Sequence, residues 1–254
     1  MTALRFGKKP ADTAAFDTGL KFGAFVDLAE LPDPPLLIGR VGLIHEWGML
    51  GNDETADCVF AARCHGVMQS HAAAGTDVPA FTDFDAVSDY AAVTGYNPTN
   101  PDTDQGTSMV DAVAYYKATG IRDSSNKRHL VEGSAFLRPG DVGEMAAALY
   151  WFGALDIGLE LPSSAMEQFD SAEPWSVAAG ASPGDGHCVM VIARNSAGNF
   201  ICVTWGRIHA MTPQFLTTYM DEGFAYYSED MLRSDALSPR GIDKAGLLGT
   251  LEKL

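Results

Sequence analysis

Long hydrophobic runs are missing from this chain of 254 residues, and that absence removes a first class of function. No window approaches the roughly 20 apolar residues of a membrane-spanning helix. The longest candidate, Met145 to Leu161, is interrupted by Gly153, Asp156, Gly158 and Glu160. The opening MTALRFGKKPADTAAF carries some positive charge but no apolar stretch of signal-peptide length, so neither a signal peptide nor a transmembrane segment is expected. Basic residues are also scarce: Lys and Arg total 17 against 33 Asp and Glu, for a net charge of −16. Such a field repels phosphate backbones and anionic lipid, so neither nucleic acid nor a membrane surface is expected as a partner. Repeats and low-complexity tracts are absent too.

Cysteines number four, and their placement does not make a disulfide framework. Cys58 and Cys64 lie six apart on one expected helix, about 9 Å in rise and on different faces. Cys188 and Cys202 fall on neighbouring strands, but a hairpin centred near Ala197 does not set them opposite each other. Reduced thiols in a cytoplasm-like setting are the simpler expectation.

What the sequence does contain is concentrated in Gly51 to Gly66, GNDETADCVFAARCHG. A loop of Asn, Asp and Thr runs into Cys58, and an apolar run with helical spacing follows at once. Cys58 is thereby expected at the first turn of a helix, where unpaired N–H groups and the positive end of the macrodipole favour a thiolate. Far downstream, Gly184-Asp185-Gly186-His187 opens the β-rich run CVMVIA, and FICVTWG returns beside it. A Cys at a helix N-terminus and a His on a later strand form a candidate nucleophile and base.

The remaining pattern is α+β. Helices are expected over 57–73, 84–94 and 108–119, the last two ended by Gly95 and Gly120. After them come a short strand at His129, a helix over 139–152, and strands over 154–161, 189–194, 200–204 and 223–227, with a short helix from Pro213. This divides into an N-terminal extension (1–40) packed on the fold, a helical lobe with Cys58 (41–120), a β-rich lobe with His187 (121–232) and a tail (233–254).

Taken together these motifs, from about Trp47 to Tyr227, resemble the papain-like cysteine peptidases. The resemblance implies a helical lobe and a β-rich, barrel-like lobe with a cleft between them, and a peptide or protein substrate. It also assigns roles. Asn52, six residues before Cys58, stands where the family has an oxyanion-hole Gln. Gly106, in QGTSMVDA, begins the helix beside the cleft, and Trp205 of Thr204-Trp205-Gly206 is the indole that shields the pair. A short extension unlike a papain-type propeptide implies no need for activation by its removal.

One position departs from the family: the orienting Asn is replaced by Val203, which cannot accept a hydrogen bond from an imidazole. Thr204 should point to the opposite side of the strand, unless the register slips by one; Asp185, Asp221 and Glu222 are further candidates. The catalytic expectation is therefore a Cys58/His187 dyad with Asn52 and the Cys58 N–H as oxyanion hole, without a cofactor or metal. Zinc was weighed on Cys58, Cys64, His65 and His71, but on one helix these fall on two faces and do not converge. The loss of the Asn, and a weaker similarity to bacteriophage and bacterial proteins, leave an alternative. In it the chain is a non-catalytic structural or binding protein, for example a subunit of a larger virion assembly, and is found in the virion rather than the cytoplasm.

Overall fold

The computed structural model describes residues 4–25, 33–238 and 240. The tail beyond residue 240, expected to carry a small amphipathic end, lies outside the described residues. Two short helices, α1 (Thr13–Thr18) and α2 (Phe22–Phe25), belong to the N-terminal segment. The helical lobe follows with α3 (Cys58–Ala74), α4 (Asp83–Thr94) and α5 (Met109–Ala118). Local chemistry sets these boundaries. Thr82 and Asp85 form a reciprocal capping box at the start of α4, Ser108 caps α5, and Gly75 and Gly95 take left-handed conformations past α3 and α4.

A small hairpin, β1 (Ile121–Arg122) with β2 (Arg128–His129), leads into the second lobe. There β3 (Gly133–Phe136), β4 (Leu155–Leu161), β5 (Asp185–Arg194), β6 (Phe200–Thr204), β7 (Arg207–Met211) and β8 (Met220–Tyr227) form one sheet. Its order is β3-β8-β4-β5-β6-β7, with every neighbouring pair antiparallel. Helices α6 (Val142–Phe152), α7 (Ser164–Asp170) and α8 (Pro213–Tyr219) accompany it. The sequence pattern located α6 and α8 but not α7 or β7, whose short segments lack a clear period.

The sheet is buried on both faces. Cys188, Met190 and Val203 pack toward α3 with Val59, Ala62 and Phe60, whereas Val189, Val191 and Cys202 pack toward Met145, Leu149 and Phe215 of α6 and α8. This is why β5 and β6 read as near-continuous apolar runs rather than alternating ones. Helix α3 runs between the two lobes and is buried almost all round, as far as Gln69. Phe60 on it is fully buried and meets Tyr90, Tyr115 and Tyr116 edge-on. Truncating such an anchor costs about 3–5 kcal/mol. The nucleophile candidate thus sits at the start of a helix buried between the two lobes. All four cysteines are free and buried, and no described helix is long and apolar enough to cross a membrane.

Candidate active site

Cys58 is the first residue of α3, after Asp57 at the N-cap. Its thiol meets the next lobe directly: the Cys188 backbone N–H donates to Cys58 Sγ at 3.4 Å. His187 precedes Cys188 on β5, so the residue that meets the thiol is the chain neighbour of the imidazole. His187 is fully buried. Its ring stacks on Trp205 with centroids 4.2 Å apart and 15° between planes. Trp205 takes a left-handed conformation with φ of 45°, a strained geometry for a bulky residue that is characteristic of sites holding a side chain in a required place.

The side chain beside the imidazole is Thr204, not Val203. His187 Nε2 lies 2.7 Å from Thr204 Oγ1, which leaves Nδ1 without a hydrogen-bond partner. The backbone explains how Thr204 reaches a face where strand alternation from the hairpin would put Val203. Near the turn, Arg194 pairs with Phe200 and Ala193 with Ile201; beyond it, Val191 pairs with Cys202 and Met190 with Val203. Ile192 is the extra residue of a β-bulge, and the register slips by one. Val203 therefore turns into the core beside Met190, and Thr204 joins the His187 face. Among the other candidate orienters, Asp185 is exposed and Asp221 is engaged elsewhere, as described below.

Asn52 is buried, and its Nδ2 donates to the Thr55 carbonyl at 3.2 Å. The second amide N–H is not taken by that bond. Asp57, wholly buried beside Asn52, has its carboxyl pushed well above the ordinary range by desolvation, which favours the neutral acid. Burial also moves the pair itself. The Cys58 thiol is pushed up to about 12, chiefly by desolvation, and His187 is pushed down to about 3 by the same cause. In this state the two groups are a neutral thiol and a neutral imidazole.

The reason is the N-terminal extension, which does more than pack along the outside. Residues Leu4 to Lys9 run through the cleft between the lobes. Gly7 and Lys8 donate their N–H groups to the Gly186 carbonyl at 3.2 and 3.0 Å on one wall. On the other wall, Thr107 N–H donates to the Gly7 carbonyl at 2.7 Å and Lys9 N–H to the Thr107 carbonyl at 3.0 Å. Arg5 N–H donates to Asn52, and Trp205 Nε1 donates to the Arg5 carbonyl. Phe6 lies edge-on to both His187 and Trp205. Gly106, at φ 67°, and Gly186 allow this approach, because a Cβ on either would collide with the backbone of Gly7 or Lys8. The Lys8 side chain is fully buried, with Nζ 2.7 Å from Asp221 Oδ2. Neighbouring Glu222 is raised to about 7 by desolvation.

Sequence reasoning thus named Cys58, His187, Trp205, Gly106, Asn52 and Thr204; the structure stacks His187 on Trp205, sets Thr204 on the imidazole and seats the Cys58 sulfur on the backbone N–H of Cys188, the residue after His187. It missed Phe6, Gly7, Lys8 and the pairing role of Asp221. The one available signal was the Gly-Lys-Lys in an otherwise acidic chain.

A scan against protein-family profiles and a search of curated proteins gave no match. Solved structures do match. Xylellain, a cysteine protease from Xylella fastidiosa, superposes with a TM-score of 0.64 at 11% identity, over 89% of this chain and 96% of that one. Procathepsin B S9 from Trypanosoma congolense gives 0.60 at 11% identity, over 89% and 87%. Digestive procathepsin L 3 from Tenebrio molitor larval midgut gives 0.58 at 14% identity, over 84% and 77%. With its helical lobe, its antiparallel sheet and a cleft between them, the chain has the fold of the papain-like cysteine proteases.

Proposed function

We propose that the chain is a cysteine hydrolase acting on peptide or other amide bonds, held latent by its own N-terminal segment. The observation that carries this reading is the environment of His187: Nε2 held by Thr204, ring fixed on Trp205, Nδ1 unpaired, and the next residue on the strand, Cys188, with its backbone N–H on the Cys58 sulfur.

In the reaction, His187 Nδ1 takes the Cys58 proton, and the thiolate attacks the scissile carbonyl carbon. The C–S bond forms as the carbonyl π pair moves to oxygen. The Cys58 backbone N–H and the Asn52 side-chain amide receive that oxyanion. Collapse expels the amine, which takes the proton from imidazolium, and leaves a thioester. Water then attacks the thioester with His187 as base, releasing the acid and restoring the thiol. Thr204 replaces the orienting carboxamide: its hydroxyl oxygen accepts a hydrogen bond from Nε2–H and keeps Nδ1 as the basic nitrogen. The neutral pair of the covered state follows from the dry cleft. Displacing Leu4–Lys9 admits water, lowers the desolvation penalty and brings the two pKa values toward each other.

The second reading, a non-catalytic structural or binding protein such as a virion component, draws on the same covered, neutral pair and on the loss of the Asn. Amide hydrolysis by a variant with a weakened N-terminal segment separates the two. The catalytic reading expects release of product that disappears in Cys58→Ala with an unchanged circular dichroism spectrum. Equal turnover with and without the thiol would refute it.

A further inference from the structure

Away from the cleft, three side chains from distant parts of the chain converge at the other end of α3. His71 lies in its last turn, His129 on β2 and Asp230 in the short turn Glu229–Met231 after β8. Their donor atoms lie within 4.8 Å of one another. His71 Nε2 is 3.1 Å, and His129 Nδ1 2.9 Å, from the same oxygen, Asp230 Oδ1.

The outer atoms of each group decide what the inner ones present. Thr76 Oγ1 gives its single proton to the His71 carbonyl at 3.3 Å, so it accepts from His71 Nδ1 at 2.8 Å. With the proton on Nδ1, His71 presents the lone pair of Nε2 to Asp230. Asp123 Oδ2, 3.3 Å from His129 Nε2, does the same for the second ring and leaves Nδ1 as a lone pair. Asp123 Oδ1 is already held by Ser125 and Lys127, and Asp230 Oδ2 by Ser228. Two imidazole lone pairs then face one carboxylate oxygen. A single metal ion at the centre of that convergence would satisfy both imidazole lone pairs and the carboxylate oxygen together.

We propose that His71 Nε2, His129 Nδ1 and Asp230 Oδ1 are a site for a divalent transition-metal ion of the zinc class. Two imidazoles and a carboxylate are a borderline donor set suited to zinc rather than to calcium or magnesium, which prefer all-oxygen cages. Ligand bonds near 2.0–2.2 Å in a tetrahedron place donor atoms about 3.3 Å apart. The observed 2.9 and 3.1 Å therefore need to open by only a few tenths of an ångström. Thr76 and Asp123 supply the outer hydrogen bonds that orient metal-binding histidines. The half-buried edge of His71 leaves solvent the fourth position. Lys127 Nζ, 3.9 Å from Asp230 Oδ1, belongs to a side chain 57% exposed and moves into solvent when the ion enters. The site is distinct from the catalytic one: thirteen residues of helix, about 20 Å, separate His71 from Cys58. It is structural, clamping the end of the long helix to the hairpin and to the turn after the last strand. Metal entry replaces protons, so affinity rises with pH.

The test is calorimetric titration of zinc chloride into the full chain after chelator treatment, with thermal melts alongside. One ion per chain and a raised melting temperature are expected. Binding should weaken at least 100-fold in His71→Ala and about 10-fold in Thr76→Val. Both positions are incompletely buried, and both variants keep the wild-type circular dichroism spectrum. No binding below about 100 μM, or a binding event indifferent to His71→Ala because thiols or surface carboxylates carry it, overturns the proposal.

Discussion

Replacing Lys8 by Ala should uncover Cys58, and the size of the effect can be worked out. Lys8 is fully buried and Asp221, its partner at 2.7 Å, is 18% exposed. Breaking a fully buried pair costs about 3–5 kcal/mol because the remaining charge is stranded. Here Asp221 reaches solvent in part and recovers some hydration, so about 2–3 kcal/mol is the appropriate loss. At 1.36 kcal/mol per tenfold change, the open population rises about 30- to 150-fold. Alkylation by iodoacetamide follows that population as long as the segment recloses faster than the thiol reacts. In the wild type, a thiol pushed up to about 12 is almost entirely protonated at pH 7.5, so its basal rate is low. The assay is peptide mass spectrometry of Cys58 over time in both proteins, with Cys202 as internal control. Cys202 is equally buried but lies on the opposite side of the sheet from the α3 core. A selective rise at Cys58 of one to two orders of magnitude is expected. A change below about threefold, far short of the calculated range, refutes the argument that Lys8 holds the segment. A parallel rise at Cys202 means the whole fold has loosened instead.

In that opened background, the alkylation rate of Cys58 from about pH 4 to 9 should show a reactive limb below the ordinary thiol value of about 8.5, lost in His187→Ala. Persistence of the limb without the imidazole would exclude an ion pair. Thr204→Val should lower kcat/KM about tenfold or more with little effect on KM, since it removes the group that orients His187, while Thr204→Ser keeps most activity; equal losses in both would point to packing alone. Glu222 predicts a pH-dependent stability difference. Its folded value, about 7, lies above the ordinary carboxylate value, so its favourable contribution is present at low pH and lost as pH rises from about 4.5 to about 7. The melting temperature of Glu222→Gln minus that of the wild type should therefore grow between pH 5 and pH 8, and a flat difference would contradict the assignment.

Much of the fold was legible because its signals are local. The start of α3 at Cys58, the glycine stops after α4 and α5, and the apolar runs of β5 and β6 all depend on neighbours a few residues apart. Trp205 and His187 were legible as types, though only the fold shows that their rings stack. The features that stayed hidden depend on contacts across long separations. Lys8 meets Asp221 over 213 positions, and His129 meets Asp230 over 101. Nothing in either neighbourhood announces its partner. The surroundings of His71 are hidden in the same way: the groups that converge with it come from β2 and the turn after β8, not from its helix neighbours.

The bulge at Ile192 decides which residue of β6 the imidazole meets. Because neighbouring residues of a strand face opposite ways, a ladder continued without a bulge from the Arg194–Phe200 and Ala193–Ile201 pairs would set Val203 opposite Val191, and its methyl groups would lie on the His187 face. Setting one residue of β5 outside the ladder is what brings the Thr204 hydroxyl round, with no change at either position. Excising Ile192 would leave Val191 opposite Cys202 and Met190 opposite Val203, so His187 would keep its partner; pairing the same residues without the bulge would lose it. Two chains identical around Thr-Trp-Gly would then differ in whether His187 is held, and the difference would lie in how β5 is paired.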